Sequence, residues 1–214
     1  MNYDLIIFDC DGVLVDSEPI ANKILRDALS KNGLEMTTEK VIQKFVGRSM
    51  SSVISMSEEL LGKKLPHDFL KVLQIQTFLA FKKNLKAIHK VENVIIELKR
   101  YDTKICIASS GSFDKINYTL GLTGLRHYFD DYIFNSSQVP RGKPYPDIYL
   151  YAADQMEVEP AKCLVIEDSL PGVQGAVAAG MEVIAYSVLG EDENLRKAGG
   201  LVFSQMDEIL KHIL

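Results

Sequence analysis

Residues 5–12 read LIIFDCDG. Four apolar residues, Leu5 to Phe8, run without alternation, which is the pattern of a strand buried on both faces of a parallel sheet. The run ends in two acids, Asp9 and Asp11, and Gly12 closes the turn. In strand geometry residues i and i+2 project the same way, so Asp9 and Asp11 are expected to address one spot just past the strand. Two carboxylates about 4 Å apart repel by roughly 4 kcal/mol at an effective dielectric of 20. Such a pair needs a cation, a shared proton or a shell of hydrogen-bond donors. Taken alone, it reads equally well as a solvated acidic turn.

Downstream of this strand the rhythm changes. Ala21, Ile24, Leu25, Ala28 and Leu29 recur at helical spacing, and Gly33 stands where a helix would stop. Val41, Ile42 and Phe45, then Val53, Ile54, Leu60 and Leu61, continue in the same way, and Pro66 opens a longer helical stretch to about Asn84. The pattern predicts four helices in succession over residues 17–85 and no strand. From Lys86 onward strand and helix patterns alternate. KICIA (104–108) is a strand stopped by SSGS, and a helix over 114–120 is expected to end at Gly121. A short strand (132–134), a helix from Asp147, the strand CLVI (163–166), a helix over 171–179 closed by Gly180, a strand at 183–185, a further strand at 201–203 and a final helix from Met206 follow. Such alternation implies βαβ units and a parallel sheet. The expected fold is therefore α/β, a Rossmann-like parallel-sheet core over 1–16 and 86–214 interrupted by a helical insert over 17–85.

Composition narrows the functional classes. The chain has 214 residues, with 24 Lys plus Arg against 29 Asp plus Glu, and a formal net charge of −5. An acidic balance without a basic tract argues against a nucleic-acid binder, but leaves room for a phosphorylated small molecule held at one local positive site. The three cysteines, Cys10, Cys106 and Cys163, lie in or beside apolar runs without metal-ligand spacing, so they read as buried free thiols of a reducing compartment. No apolar stretch approaches the ~20 residues of a membrane span, and the start of the chain lacks a basic leader segment. The expectation is a soluble, cytoplasmic protein with no membrane partner.

In an open α/β sheet, ligands bind beyond the carboxyl ends of the strands. Four such ends carry polar residues: Asp9 and Asp11; Ser109 and Ser110 ahead of Gly111 and Ser112; Lys143 in a Gly/Pro loop; and Glu167 with Asp168. Each has an ordinary structural reading. The serines could cap the next helix, Lys143 could be a surface charge, and Asp168 or Ser169 could cap the helix at Pro171. Together they make one chemical object: carboxylates, a lysine and hydroxyl or amide donors at one sheet edge. Oxygen ligands of this kind suit Mg²⁺, which keeps waters and a substrate phosphate among its ligands. A carboxylate there can attack phosphorus, and its neighbour can act as acid and then base.

The motifs DCDGVLVDSE, ASSG, GKPYPD and VIEDS, in this order and spacing, resemble the haloacid dehalogenase-like hydrolases, and within them the sugar-phosphatase and β-phosphoglucomutase-like group. The resemblance spans essentially the whole chain and implies that 17–85 is an α-helical cap domain. It further implies a Mg²⁺-dependent phosphatase acting on a small phosphomonoester, a sugar phosphate or phosphorylated sugar acid, through an aspartyl-phosphate. Asp9 would be the nucleophile and Asp11 the general acid and base. The Asp9 carboxylate, the Asp11 carbonyl and the Asp168 carboxylate would hold the metal, with Glu167 close by. Ser109, Ser110 and Lys143 would bind the phosphoryl group, and Glu18 and Arg48 the rest of the substrate. A monomer is expected, since a cap already encloses the site.

Three other functions stay open at this stage. A phosphosugar mutase of the β-phosphoglucomutase type would carry a cap histidine a short way past the nucleophile, where this chain has Pro19-Ile20-Ala21 and no His before His67. The second acid, Asp11, disfavours carbon–halogen cleavage, and Lys23 keeps a phosphonate-cleaving branch in view. A phospho-accepting signalling module also groups acids, a hydroxyl and a lysine at a sheet edge. It would, however, set its acids side by side, not at i and i+2, and has no use for a helical insert.

Overall fold

The computed structural model describes residues 3–45, 50–188, 190 and 192–214. Among them the chain forms a six-stranded sheet: β1 (Leu5–Phe8), β2 (Lys104–Ser109), β3 (Ile133–Asn135), β4 (Cys163–Glu167), β5 (Glu182–Tyr186) and β6 (Leu201–Phe203). Neighbouring strands all run parallel, in the order β3-β2-β1-β4-β5-β6. Ten α-helices accompany them: α1 (Glu18–Lys31), α2 (Thr38–Phe45), α3 (Met50–Leu61), α4 (Phe69–Asn84), α5 (Val91–Arg100), α6 (Phe113–Thr123), α7 (Asp147–Gln155), α8 (Leu170–Ala178), α9 (Glu193–Lys197) and α10 (Met206–Ile213). None of the described helices is long and apolar enough to cross a membrane. The chain divides into two compact units, Met1–Asp16 with Lys86–Leu214, and Ser17–Leu85.

In the first unit β1 lies inside the sheet, and all four of its residues are fully buried, as an unbroken LIIF run requires. Ile7 sits between Cys106 of β2 and Val165 of β4. Tyr149, Ala152 and Ala153 of α7 and Val173 and Ala176 of α8 pack with Leu5, Ile7, Cys106 and Val165 in one core cluster. The three cysteines are buried and free. In the second unit four helices surround a smaller core of Leu25, Leu29, Val41, Phe45, Val53, Phe69 and Leu73. Within that core the Ser57 hydroxyl is buried and donates to the Val53 carbonyl at 2.7 Å, satisfying its own polar atom.

Two sequence expectations are corrected, and one helix is added. The strand stops at Phe8, so Asp9 and Asp11 do not lie on one strand face. The chain turns instead, with Leu14 N–H and Val15 N–H both donating to the Cys10 carbonyl and Gly12 N–H to Val15. Helix α6 runs through Gly121 and ends at Gly124, whose φ is +77°. The following residue, Leu125, is fully buried and donates to the Leu120 carbonyl at 3.0 Å. Both glycines are followed by a leucine, but Leu122 is exposed and Leu125 buried, and the glycine before the buried anchor becomes the stop. Helix α9 has no counterpart in the periodic pattern. It is a short turn held by the Asp192 side chain, which accepts from Asn194 N–H and Leu195 N–H, and by the buried Leu195.

Candidate active site

The strand order reverses between β1 and β4, and the crevice outside their carboxyl ends is where a doubly wound sheet places its ligand. Asp9 follows β1 there, and its N–H donates to the Ile166 carbonyl of β4 at 2.9 Å. Glu167 is the last residue of β4, Asp168 follows it, and Ser109 is the last residue of β2.

Lys143, from the loop before α7, ties the first two acids together. Its Nζ lies 2.6 Å from Asp9 Oδ1 and 2.5 Å from Glu167 Oε1. All three side chains are buried, with Lys143 5% exposed. Glu167 is expected from the sequence beside a metal, but here its two oxygens are taken by other donors. Besides Lys143, the Tyr149 hydroxyl donates to Oε1 at 3.1 Å, and Ser169 N–H and Oγ–H donate to Oε2 at 2.8 and 2.9 Å. The Tyr149 ring also stands 5.3 Å from the lysine Nζ. Gly172 makes room for this acid: a Cβ there would meet Glu167 Cδ at 1.9 Å.

The electrostatics follow from burial and from who shares the lysine. Burial pushes the Asp9 carboxyl up to about 7, and the Glu167 and Asp11 charges add to that against the pull of Lys143. Burial also acts on Glu167, yet Lys143 and the Ser169 donors outweigh it and hold this carboxyl below its ordinary range. For Lys143 burial favours the neutral amine, but the two facing carboxylates win and keep it a cation. Cys10, between the two acids in sequence, is no nucleophile. Burial drives its thiol far above the ordinary range, and its Sγ sits 3.9 Å from the Thr119 hydroxyl.

Asp11 has a different partner. Lys115, in the first turn of α6, places its Nζ 2.6 Å from Asp11 Oδ2. Asp168 lies over Gly12: a Cβ at that glycine, where φ is +78°, would fall 1.9 Å from Asp168 Oδ2. Ser109 Oγ, almost fully buried, accepts from Gly111 N–H at 3.2 Å, and Ser110 beside it is exposed. The buried Asn135 closes the turn by donating to the Gly111 carbonyl at 3.1 Å. A Cβ at Gly111 would stand 3.5 Å from Ser109 Oγ and 3.8 Å from Asp11 Oδ2, so the serine turn and the Asp11 carboxyl are neighbours.

Among the described residues no group of three or more His, Cys, Asp or Glu side chains is gathered closely enough to hold a metal ion. With Glu167 engaged elsewhere, the oxygen donors at the ends of β1 and β4 are the Asp9 and Asp168 carboxylates and the Asp11 carbonyl. One or two carboxylates completed by water and a substrate phosphate is the ordinary donor set of Mg²⁺, and these residues fit it.

Of the residues singled out in the sequence, Asp9, Lys143 and Glu167 make one contact cluster, and Asp11 adjoins Ser109 and Gly111. Glu18 opens α1 in the other unit, where a carboxylate suits the helix N-terminus. Arg48 lies outside the described residues. Sequence reasoning missed Tyr149 and Lys115. Tyr149 reads there as an ordinary core aromatic. Lys115 leaves one physical trace, a cation at the third position of a helix, where the dipole disfavours it.

The haloacid dehalogenase-like hydrolase family pattern matches residues 6–186. A 6-phosphogluconate phosphatase of Escherichia coli is 29% identical over 86% of this chain and 82% of its own length. A phosphorylated carbohydrates phosphatase of Thermotoga maritima is 31% identical over 97% of this chain and 96% of its own. The crystal structure of a haloacid dehalogenase-like protein from Agrobacterium tumefaciens superposes with a TM-score of 0.86 at 32% identity, covering 99% of this chain and 97% of that one.

Proposed function

Because the chain belongs to the haloacid dehalogenase-like hydrolases, we propose that it is a Mg²⁺-dependent phosphatase that hydrolyses a small sugar phosphate or phosphorylated sugar acid through an aspartyl-phosphate. Membership of a hydrolase family, with sugar-phosphate phosphatases among the relatives, sets the signalling-module alternative aside. The observation that carries the reading is Lys143 bridging Asp9 and Glu167 at the strand-order reversal. A buried cation held by one carboxylate with its own donor shell, and presented beside a second carboxylate, suits a phosphoryl group that must be neutralised as it is attacked.

In this reading Asp9 Oδ forms a bond to phosphorus as the ester P–O bond breaks, and the Asp11 carboxyl gives its proton to the departing alcohol oxygen. Asp11, now a carboxylate, takes a proton from the water that attacks the same phosphorus. The Asp9–phosphorus bond then breaks and releases inorganic phosphate. Lys143, Ser109 and Ser110 hold the phosphoryl oxygens throughout, and Glu167 with Tyr149 keeps Lys143 in place. Asp9, Asp168 and the Asp11 carbonyl would hold Mg²⁺, which supplies further charge neutralisation at the phosphoryl oxygens. The Ser17–Leu85 unit acts as the cap, with Glu18 and Arg48 selecting the substrate. Buried thiols without a disulfide and a phosphorylated metabolite as substrate suit a cytoplasmic setting.

The test is a phosphate-release screen over phosphorylated sugars and sugar acids. Wild type with Mg²⁺ should turn over at least one of them, EDTA should stop it, and Asp9→Asn should lose about 10³-fold or more in kcat. Turnover indifferent to metal, or a near-normal Asp9→Asn enzyme, would refute the assignment.

A further inference from the structure

Lys115 has no role in the chemistry above, yet its place is hard to explain as surface decoration. It sits at the third position of α6, where its charge opposes the helix dipole, so the helix itself does not favour it. Its pairing with Asp11 is partly exposed, the two side chains being 32% and 26% accessible, and ion pairs open to solvent add little to stability. What the lysine does have is a rigid base. Its own N–H donates to the Ser112 Oγ cap at 3.3 Å. The turn just before is closed by Gly111 N–H on Ser109 Oγ and by Asn135 on the Gly111 carbonyl. Asp11 follows β1 in the turn after Phe8, where its backbone is bridged to Val15. A backbone bridge does not set the direction of a side chain, and proton transfer demands hydrogen-bond reach and alignment at the reacting oxygen, which the 2.6 Å contact from Lys115 Nζ to Oδ2 helps to fix.

We propose that Lys115 is a positioning residue for the acid–base Asp11: by gripping Oδ2 from the fixed first turn of α6, it orients the carboxyl toward the leaving-group oxygen and then toward the attacking water. This rests on the phosphatase reading of the same site. The lysine exchanges no proton and forms no bond to phosphorus. It sets the direction in which the Asp11 proton leaves in the first half-reaction and returns in the second. The demand on it scales with how much the leaving group needs a proton. An alkoxide from a sugar phosphate needs one as the P–O bond breaks, whereas 4-nitrophenolate departs without.

The experiment uses the full chain with Mg²⁺ and compares two esters, the sugar phosphate that wild type hydrolyses fastest and 4-nitrophenyl phosphate. The quantity is kcat/KM, which reports events up to departure of the leaving group. Lys115→Met should lower kcat/KM for the sugar phosphate at least about tenfold more than for the nitrophenyl ester, as removal of aligned general-acid help predicts. Lys115→Arg, which keeps a cation within reach of Oδ2, should restore most of the loss and stands in if the Met variant folds poorly. In an Asp11→Asn background Lys115→Met should change little more. Equal losses on both esters, a change confined to KM, or an undiminished effect in the Asp11→Asn background would overturn the proposal, and each would leave the phosphatase reading intact. Absence of turnover by the wild type would overturn that reading, and this inference with it.

Discussion

Asp9 and Asp11 stand two residues apart, and each meets a lysine from a distant part of the chain. Asp9 faces Lys143 in a buried cluster where the side chains of acid and base are 9% and 5% exposed, with Glu167 sharing the same cation. Asp11 meets Lys115 where roughly a quarter to a third of each side chain is open to solvent. The bond lengths are alike, 2.6 Å in both pairs, so geometry alone would rank them equal. The surroundings separate them. A buried charge has no water to fall back on, and removing its partner leaves an uncompensated ion. A partly exposed charge is resolvated when its partner is removed. The first cluster is therefore a piece of the core, and in the proposed function it also clamps the phosphoryl group. The second pair can be remade without disturbing the fold, as the acid–base role proposed for Asp11 requires.

The sharpest way to break this contrast is to remove each lysine in turn. Lys143→Met should cost about 3–5 kcal/mol in urea unfolding, because Asp9 and Glu167 are left buried together. Lys115→Met should cost less than about 1 kcal/mol. Similar losses for the two would show that burial does not divide them.

A smaller effect probes the donor shell of Glu167. Gly172→Ala introduces a methyl group 1.9 Å from the Glu167 carboxyl carbon, inside α8. Alanine suits a helix better than glycine by up to about 1 kcal/mol, but overpacking a filled site costs about 1–3 kcal/mol. The variant should lose about 1–2 kcal/mol net and bind phosphate more weakly as Lys143 loses its support. A stabilised variant with unchanged phosphate affinity would mean that Glu167 can move aside freely.

A further effect concerns pH. Burial raises the folded Asp9 carboxyl from 3.8 to about 7. Between those values the folded, metal-free protein keeps this proton while the unfolded chain releases it, so stability falls as pH rises across the window. The slope from this one group is at most about 1.4 kcal/mol per pH unit. Glu167 is shifted the other way, and its contribution is lost only as pH falls below its ordinary 4.5, outside most of this window. Asp9→Asn should therefore flatten the fall in urea midpoint between pH 5 and 7. An unchanged slope would mean that Asp9 is ionised in the folded protein from low pH.

Much of the sheet edge is legible in the residues themselves. LIIF and CLVI are continuous apolar runs, and such runs have one stable home, the interior of a parallel sheet with helices on both faces. The acids that end them must then emerge at the carboxyl edge. The run LIIF marks where the strand stops, but the path of the loop after Phe8 is not legible, because a strand pattern says nothing about how the chain turns beyond its end. That is decided by the two amide groups of Leu14 and Val15 converging on the Cys10 carbonyl. Lys115 and Tyr149 also escaped notice, since each belongs to a pattern with a commonplace meaning, a polar helix start and an apolar helix face.

The primary structure determined the α/β class, the place of the helical insert and the set of acids and the lysine at the strand ends, because these depend on local hydrophobic periodicity and on residue type. Only the tertiary structure decided which cation serves which acid. Lys143 and Asp9 are 134 residues apart and Lys115 and Asp11 104, and no local rule reaches across such separations. The pairing is set by where the packed core leaves room, at Gly172 for Glu167 and at Gly12 for Asp168, and by how much water it excludes around each charge.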